Sequence, residues 1–305
     1  IPATEAMSFV GDNYDYQTDF ISTISRMGVH TCQDCQNMVS AARLGPTTAL
    51  GTQEMPLIDL TTAYGTFAAQ GGHTPPRAIL RIDDNNDQTQ WTAPKPKLEQ
   101  VISPQTAYMM TSILMDNRAR AGDFKTENPL CFSCYPDGYV NGLPGLNFGT
   151  DDTFTQYVAS KTGTSQGPTG PLDIVTMGYS AEMVLGVWAG NTDPHDSLTD
   201  IIGITGAGYI FHDTMAWAIK NYNWPAKAFP VPPQMARGQF NCSTGLAPYA
   251  GTDPAVFSSD NATAPGNGWC KLSNTPSTDL YVGWQTGRQL KDVDWYIQGQ
   301  LPDVS

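Results

Sequence analysis

The stretch "VASKTGTSQGPTG", Val158 to Gly170, sets Lys161 directly before Thr162, Gly163, Thr164 and Ser165. A lysine at the end of a strand can hold a proton relay in place or attract an anionic substrate group. Threonine hydroxyls beside it can bind a carboxylate, and a glycine lets a substrate backbone come close. A backbone N–H at such a place can face a developing oxyanion. A solvated turn would use the same residue types, so these residues alone do not separate the two readings. The chemistry of Lys161 depends on which nucleophile it serves.

The elements that must position Lys161 are read from periodicity. "VASKTGTS" reads as a strand, and "IVTMGYS" and "MVLGVWAGN" as two more, joined by a turn at Ser180-Ala181-Glu182. "YIFHDTMAWAIKN" follows as a final helix. Upstream, residues 19–28 put Phe20, Ile21, Ile24 and Met27 on one helical face, ended by Gly28. "PLIDLTTAYGTFAAQGG" repeats the pattern with Leu57, Leu60, Tyr64, Phe67 and Ala68; Pro56 suits its first turn and Gly71-Gly72 its stop. "SPQTAYMMTSILMDNRARAG" reads as one helix, capped by Ser103, with Pro104 in first position and Tyr108, Met109, Ile113 and Met115 as apolar bulk. Ala78–Ile82 reads as a short strand, "DDNNDQTQ" as a hairpin-like loop, and 121–156 as irregular. The periodicity alone supports mixed α and β. From about Phe229 the composition shifts to Pro, Gly and small polar residues, which divides the chain into 1–228 and a small Cys/Pro/Gly-rich β module, 229–305. Trp269, Tyr281, Trp284, Trp295 and Tyr296 would pack that module.

The chain has 305 residues, 40% hydrophobic and 15% charged, with net charge −13. Such an acidic surface repels nucleic acid and anionic headgroups, so both are set aside as partners. No apolar run reaches the roughly eighteen residues of a membrane helix. No signal-peptide pattern is read in these residues, and "IPATEAMSFVG" opens without Met inside a helix-like pattern, so an upstream part is expected. The six cysteines fall as Cys32/Cys35, Cys131/Cys134 and Cys242/Cys270. An even count in a weakly charged chain favours disulfides, with Cys242–Cys270 closing a Gly/Pro/Ser-rich loop. A zinc site is the rival, though zinc knuckles usually hold their Cys pairs closer in sequence. His30, His73, His195 and His212 lack metal-ligand spacing, and no metal site is assigned. The Asp83-Asp84 and Asp151-Asp152 pairs read as solvated loops, and the sequons at Asn241 and Asn261 as chance.

The whole of "KTGTSQGPTGPLDIVTMGYSAEMVLGVWAGNTD" resembles the third active-site motif and following hairpin of penicillin-binding transpeptidases, most closely the class A enzymes that also carry a glycosyltransferase domain. "TTALGTQEMPLIDLTTAYGTFAAQGGHTPPRAILRIDD" is similar to the family's segment between second and third motifs. "ISPQTAYMMTSILMDNRARAGDF" resembles the helix before the third motif, in wording similar to Chloroflexi-type versions. "GITGAGYIFHDTMAWAI" and "FPVPP" resemble the close of the domain, and His212-Asp213 fits its final helix. The likeness covers roughly residues 1–235. It implies part of an α+β, β-lactamase/transpeptidase-like fold: a mainly antiparallel sheet flanked by helices. It also implies no cofactor, an extracytoplasmic location in the cell envelope, and a membrane anchor upstream.

The family's nucleophile is the serine of Ser-x-x-Lys. None of Lys95, Lys97, Lys125, Lys161, Lys220, Lys227, Lys271 or Lys291 has a serine three positions before it. Ser259-Asp260-Asn261 matches the second motif, Ser-x-Asn, but follows Lys161 instead of preceding it and is set aside. In the family that motif is commonly followed by Ile-Pro-Ala, so the chain is expected to begin just past it, with the first two motifs upstream. By resemblance, the upstream serine acylates on the penultimate D-Ala of a peptidoglycan stem peptide, and β-lactams acylate the same serine. Lys161 supports proton transfer. Thr162 and Thr164 bind the terminal carboxylate, Gly163 and Ser165 complete the substrate strand, and the Thr164 N–H donates to the oxyanion. Val175 departs from the family's aromatic residue after the aspartate and is expected to loosen packing under the strand. Two readings stand: part of a peptidoglycan D,D-transpeptidase, inactive as an isolated chain, or a non-catalytic extracellular protein on the same scaffold. The intact Lys-Thr-Gly-Thr favours the first; the extra cysteines, Val175 and missing motifs favour the second. Cell-wall binding by 229–305 alone is a third.

Overall fold

Alternating side chains in three consecutive segments build the sheet that carries Lys161. The computed structural model describes residues 21–29, 55–125, 128–132, 157–193, 196–224, 227–237 and 295–297. In chain order the elements are α1 (Ile21–Arg26), α2 (Leu57–Ala68), β1 (Gly72–His73), β2 (Arg81–Asp83), β3 (Thr89–Thr92), β4 (Glu99–Gln100), α3 (Pro104–Met115), α4 (Asn117–Phe124), β5 (Ala159–Gln166), β6 (Pro171–Tyr179), β7 (Val184–Gly190), α5 (Ala207–Asn221), β8 (Met235–Arg237) and β9 (Trp295–Ile297). β5, β6 and β7 form an antiparallel sheet in that order, with Ala159 opposite Tyr179 and Tyr179 opposite Val184. The Ser180 hydroxyl accepts from the N–H groups of Glu182 and Met183 and so shapes the β6–β7 turn. All other described pairings, β1–β4, β2–β3 and β8–β9, are antiparallel too.

Helices cover both faces of this sheet. On one face Ala159 and Tyr179 pack with Tyr108 and Leu114 of α3, Tyr64 and Phe67 of α2, and Phe229. On the other, Val158, Leu185 and Val187 pack with Phe211, Met215 and Ile219 of α5 and with Leu130 and Phe132. The period-2 alternation of strands explains why Val158 and Ala159, neighbours in sequence, enter different cores. The fold is therefore α+β, antiparallel sheets flanked by helices.

Tyr179 is the polar anchor of its core. Its ring lies 5.5 Å from Phe229 and 6.4 Å from both Tyr64 and Phe67. Its hydroxyl lies 2.8 Å from Thr111 Oγ1. Thr111 already donates its own proton to Ala107 O, so the tyrosine is the donor. Burial pushes the Tyr179 hydroxyl far up its titration range against that hydrogen bond, and pushes Tyr64 up to about 12.

Two sequence expectations are corrected. The stretch 103–122 is not one helix. Ser103 does cap α3, accepting from the Thr106 N–H at 3.0 Å, but Asp116 is extended (φ −78°, ψ 97°) and the chain restarts as α4. Asn117 is fully buried and accepts from Asn128 Nδ2 at 2.9 Å. This distant polar contact outcompetes helix continuation at an Asp-Asn pair of weak helix formers. The strand read at Ala78–Ile82 lies at Arg81–Asp83, paired to β3 with Ile82 opposite Trp91. The loop after it is a hairpin turn, as read, with Asp84 Oδ1 accepting from Asn86 and Gln88 N–H.

His212 lies buried in α5, stacked 4.6 Å from Phe132, with Nδ1 3.2 Å from Asp213 Oδ1. Burial holds its imidazole below the ordinary value of 6.5, with Asp213 pulling the other way. The unfolded chain therefore takes up the proton first, so stability falls as pH drops through 6.5. Urea unfolding from about pH 7.5 to about pH 5.5 should show that fall in the wild type and a flatter profile in His212→Gln. In the same assay at neutral pH, Tyr179→Phe should cost about 1 kcal/mol, because Thr111 keeps its bond to Ala107.

Candidate functional site

β5 is an edge strand among the described residues, and Lys161 to Thr164 lie along it. An edge presents unpaired backbone N–H and C=O groups, a ready template for an extended chain. Lys161 shares the α3 face with Ala159, while Thr162 and Thr164 turn to the opposite face. There they meet the loop that leads into α5. Thr164 Oγ1 accepts from the Gly203 N–H at 2.9 Å. That leaves the threonine its own proton to donate. Thr176 Oγ1 on β6 reaches Gly203 O at 3.3 Å. A β-carbon on Gly203 would sit 2.6 Å from Gly163 O and 3.0 Å from Thr162 Cβ, so only glycine allows this approach.

Gly163 is pressed from the other face. A β-carbon there would lie 2.6 Å from Val175 Cγ2. Val175, expected to loosen the packing under the strand, sets its branched side chain over Gly163. Sequence reasoning gave Gly163 a substrate-clearance role; the structure adds a clearance role inside the sheet.

Lys161 Nζ folds back to donate to Thr162 O at 2.7 Å. Its side chain reaches solvent, yet enough protein surrounds the ammonium to hold it below the ordinary lysine range. Partial desolvation is the main cause and repulsion from Arg120 the second; attraction to Asp123 opposes both. Ser165 is engaged elsewhere. Its hydroxyl donates to Asp173 Oδ2 at 3.0 Å and accepts from the Asp173 N–H at 2.9 Å. Trp188 Nε1 donates to the other oxygen, Asp173 Oδ1, at 3.0 Å. Asp173 therefore ties together the ends of all three strands. Gly203, Arg120 and this clamp were absent from the sequence-based site, since each acts through a partner distant in sequence.

Cys131 is fully buried and disulfide-bonded. Cys32, Cys35, Cys134, Cys242 and Cys270 lie outside the described residues, as do His30, His195, Asp151-Asp152, the sequons and Ser259–Asn261. Phe229 and the segment after it belong to the packing just described: Gln70 Nε2 donates to Pro230 O and Gln105 Nε2 to Pro233 O. β9, from the end of the 229–305 segment, pairs with β8 and lies against α3.

No family profile and no curated protein matches the chain. Solved structures do. The penicillin-binding protein PonA1 from Mycobacterium tuberculosis aligns with TM-score 0.53 and 20% identity, over 72% of this chain and 56% of that one. Penicillin-binding protein 1A from Haemophilus influenzae aligns with TM-score 0.55 and 19% identity, over 82% of this chain and 37% of that one. At these identities the similarity is one of fold, that of penicillin-binding transpeptidase domains. The chain spans about half the length of the first structure and less than half of the second.

Gly163→Ala should destabilise the protein by about 1–3 kcal/mol in urea unfolding, through overpacking against Val175. Val175→Ala in the same chain should recover part of that loss, a coupling of about 0.5–3 kcal/mol. Strict additivity of the two changes would show that Gly163 is not there to clear Val175.

Proposed function

We propose that this chain supplies the substrate-strand half of a peptidoglycan D,D-transpeptidase site, whose serine nucleophile comes from upstream sequence. The observation that carries this reading is the edge of β5, open among the described residues, with Lys161, Gly163 and Thr164 along it and the Thr164 hydroxyl pre-oriented by Gly203. An extended stem peptide added at that edge would be held by main-chain hydrogen bonds. The Thr162 and Thr164 hydroxyls would donate to its terminal carboxylate, and Lys161 would add the charge that favours an anion beside a chain of net charge −13. Lys161 would also support proton transfer at the acylating serine. The Thr164 N–H would donate to the oxyanion of the tetrahedral intermediate. Ser165, bound to Asp173, would hold the strand end and not the substrate.

β-Lactams would acylate the same serine. Partners are then stem peptides, β-lactams and the upstream part of the same polypeptide, with an anchor there and the site in the cell envelope. The disulfide at Cys131 fits an oxidising compartment. The 229–305 segment would be a smaller module, its Cys242–Cys270 pair closing a loop. The second reading, a non-catalytic extracellular binding protein on this scaffold, is favoured by the two Cys-x-x-Cys pairs added to the family pattern.

Fluorescent penicillin applied to the native-length polypeptide, followed by a denaturing, non-reducing gel, separates the two. The transpeptidase reading expects a labelled band that contains these residues, with labelling slowed about 10²–10⁴-fold in Lys161→Ala. No label, while a known transpeptidase labels in parallel, leaves the scaffold reading.

A further inference from the structure

Arg120 of α4 crosses the edge of β5 one residue before Lys161. Its Nη2 donates to Leu114 O, near the end of α3. Its Nη1 donates to Ser160 Oγ at 3.0 Å and Leu130 O at 3.3 Å. Leu114 belongs to the core on the α3 face and Leu130 to the core on the α5 face. One guanidinium thus joins both sides of the sheet at the point where the open edge begins. The helix break at Asp116 makes this reach possible, since it redirects the chain before α4.

All three acceptors are neutral. A neutral donor would serve them without the cost of desolvating a charge. That cost is real here: desolvation pushes the guanidinium down to about 10, against the attraction of Asp116, and it remains charged at neutral pH. What a cation adds over a neutral donor is its field, and the ammonium in that field is Lys161.

We infer that Arg120 is a positioning residue for Lys161: it pins the start of β5 at its open edge and holds a fixed positive charge beside the lysine. This rests on the reading of Lys161 as the proton-transfer lysine. Among the described residues, the titratable groups on the elements packed about that lysine are these. α4 brings Arg120 and Asp123, and the α3–α4 break brings Asp116. β6 brings Asp173, tied to Ser165 and Trp188, and Tyr179, bonded to Thr111; α3 brings Tyr108. The loop from Ile201 to Gly206 has no titratable side chain. Arg120 and Asp123 therefore oppose each other at Lys161, and a lysine held below its ordinary range passes its proton on more readily.

The test uses the full 305-residue chain with lysines reductively ¹³C-methylated and the Lys161 signal assigned by its loss in Lys161→Arg. The titration midpoint of Lys161 should rise in Arg120→Gln, stay close to wild type in Arg120→Lys, and fall in Asp123→Asn. Asp123 is exposed, so the last variant keeps the test alive if Arg120→Gln does not fold. A midpoint unmoved in Asp123→Asn and in folded Arg120→Gln overturns the proposal. In the native-length polypeptide, penicillin acylation should slow roughly tenfold in Arg120→Gln and recover in Arg120→Lys. Acylation that proceeds unchanged in Arg120→Gln also overturns it. Midpoints that shift as expected while no form of the polypeptide is acylated support the electrostatic coupling and instead sink the transpeptidase reading on which it rests.

Discussion

Gly203 lies against β5 closely enough to exclude any side chain, and much of the site depends on that approach. Its N–H is bound by Thr164 Oγ1 and its carbonyl is reached by Thr176 Oγ1 and by the Gly208 N–H at 2.8 Å. One residue therefore ties together the start of α5, Thr164 on β5 and Thr176 on β6, and fixes the direction of the Thr164 hydroxyl. A buried N–H or C=O without such partners would be costly, so the loop has little freedom to sit elsewhere. With β5 held between Gly203 on one face and Val175 on the other, the side left unpaired among the described residues is its edge.

That edge is a liability in an ordinary protein, because unpaired strand groups invite pairing with other chains. Here three features limit it. Arg120 crosses it at Ser160, a charged lysine follows, and the register shifts between Thr164 and Gln166, near the end of β5. Bulges of this kind twist a strand away from further pairing. The open segment is thereby confined to a few residues, the ones that the proposed function sets beside an extended anionic peptide.

Electrostatics point the same way. The chain as a whole is acidic, yet two cations stand together at this edge, partly desolvated and mutually repelling. Like charges held this close raise the energy of the folded protein, and the surrounding cores must offset it. Asp123 relieves part of the repulsion from a solvent-exposed position, and Asp116 part of the desolvation cost of Arg120.

Much of the fold was legible without coordinates because it is written locally. Period-2 alternation marked β5 to β7, Ser180 marked their turn, and Ser103-Pro104 marked the start of α3, each within a few residues of the group it binds. The Lys-Thr-Gly-Thr pattern was visible for the same reason. The break at Asp116, the Asp173 clamp, the fit of Val175 over Gly163 and the reach of Arg120 to Ser160 were not. Each depends on a partner between 8 and 40 residues away, as with Ser165–Asp173 and Arg120–Ser160. Periodicity reports which face a side chain takes, and so the sequence determined the strands, the helices and the chemistry they could carry. Which groups meet at β5, and therefore how Lys161 is charged and what the threonines can still donate, was decided only when distant segments packed.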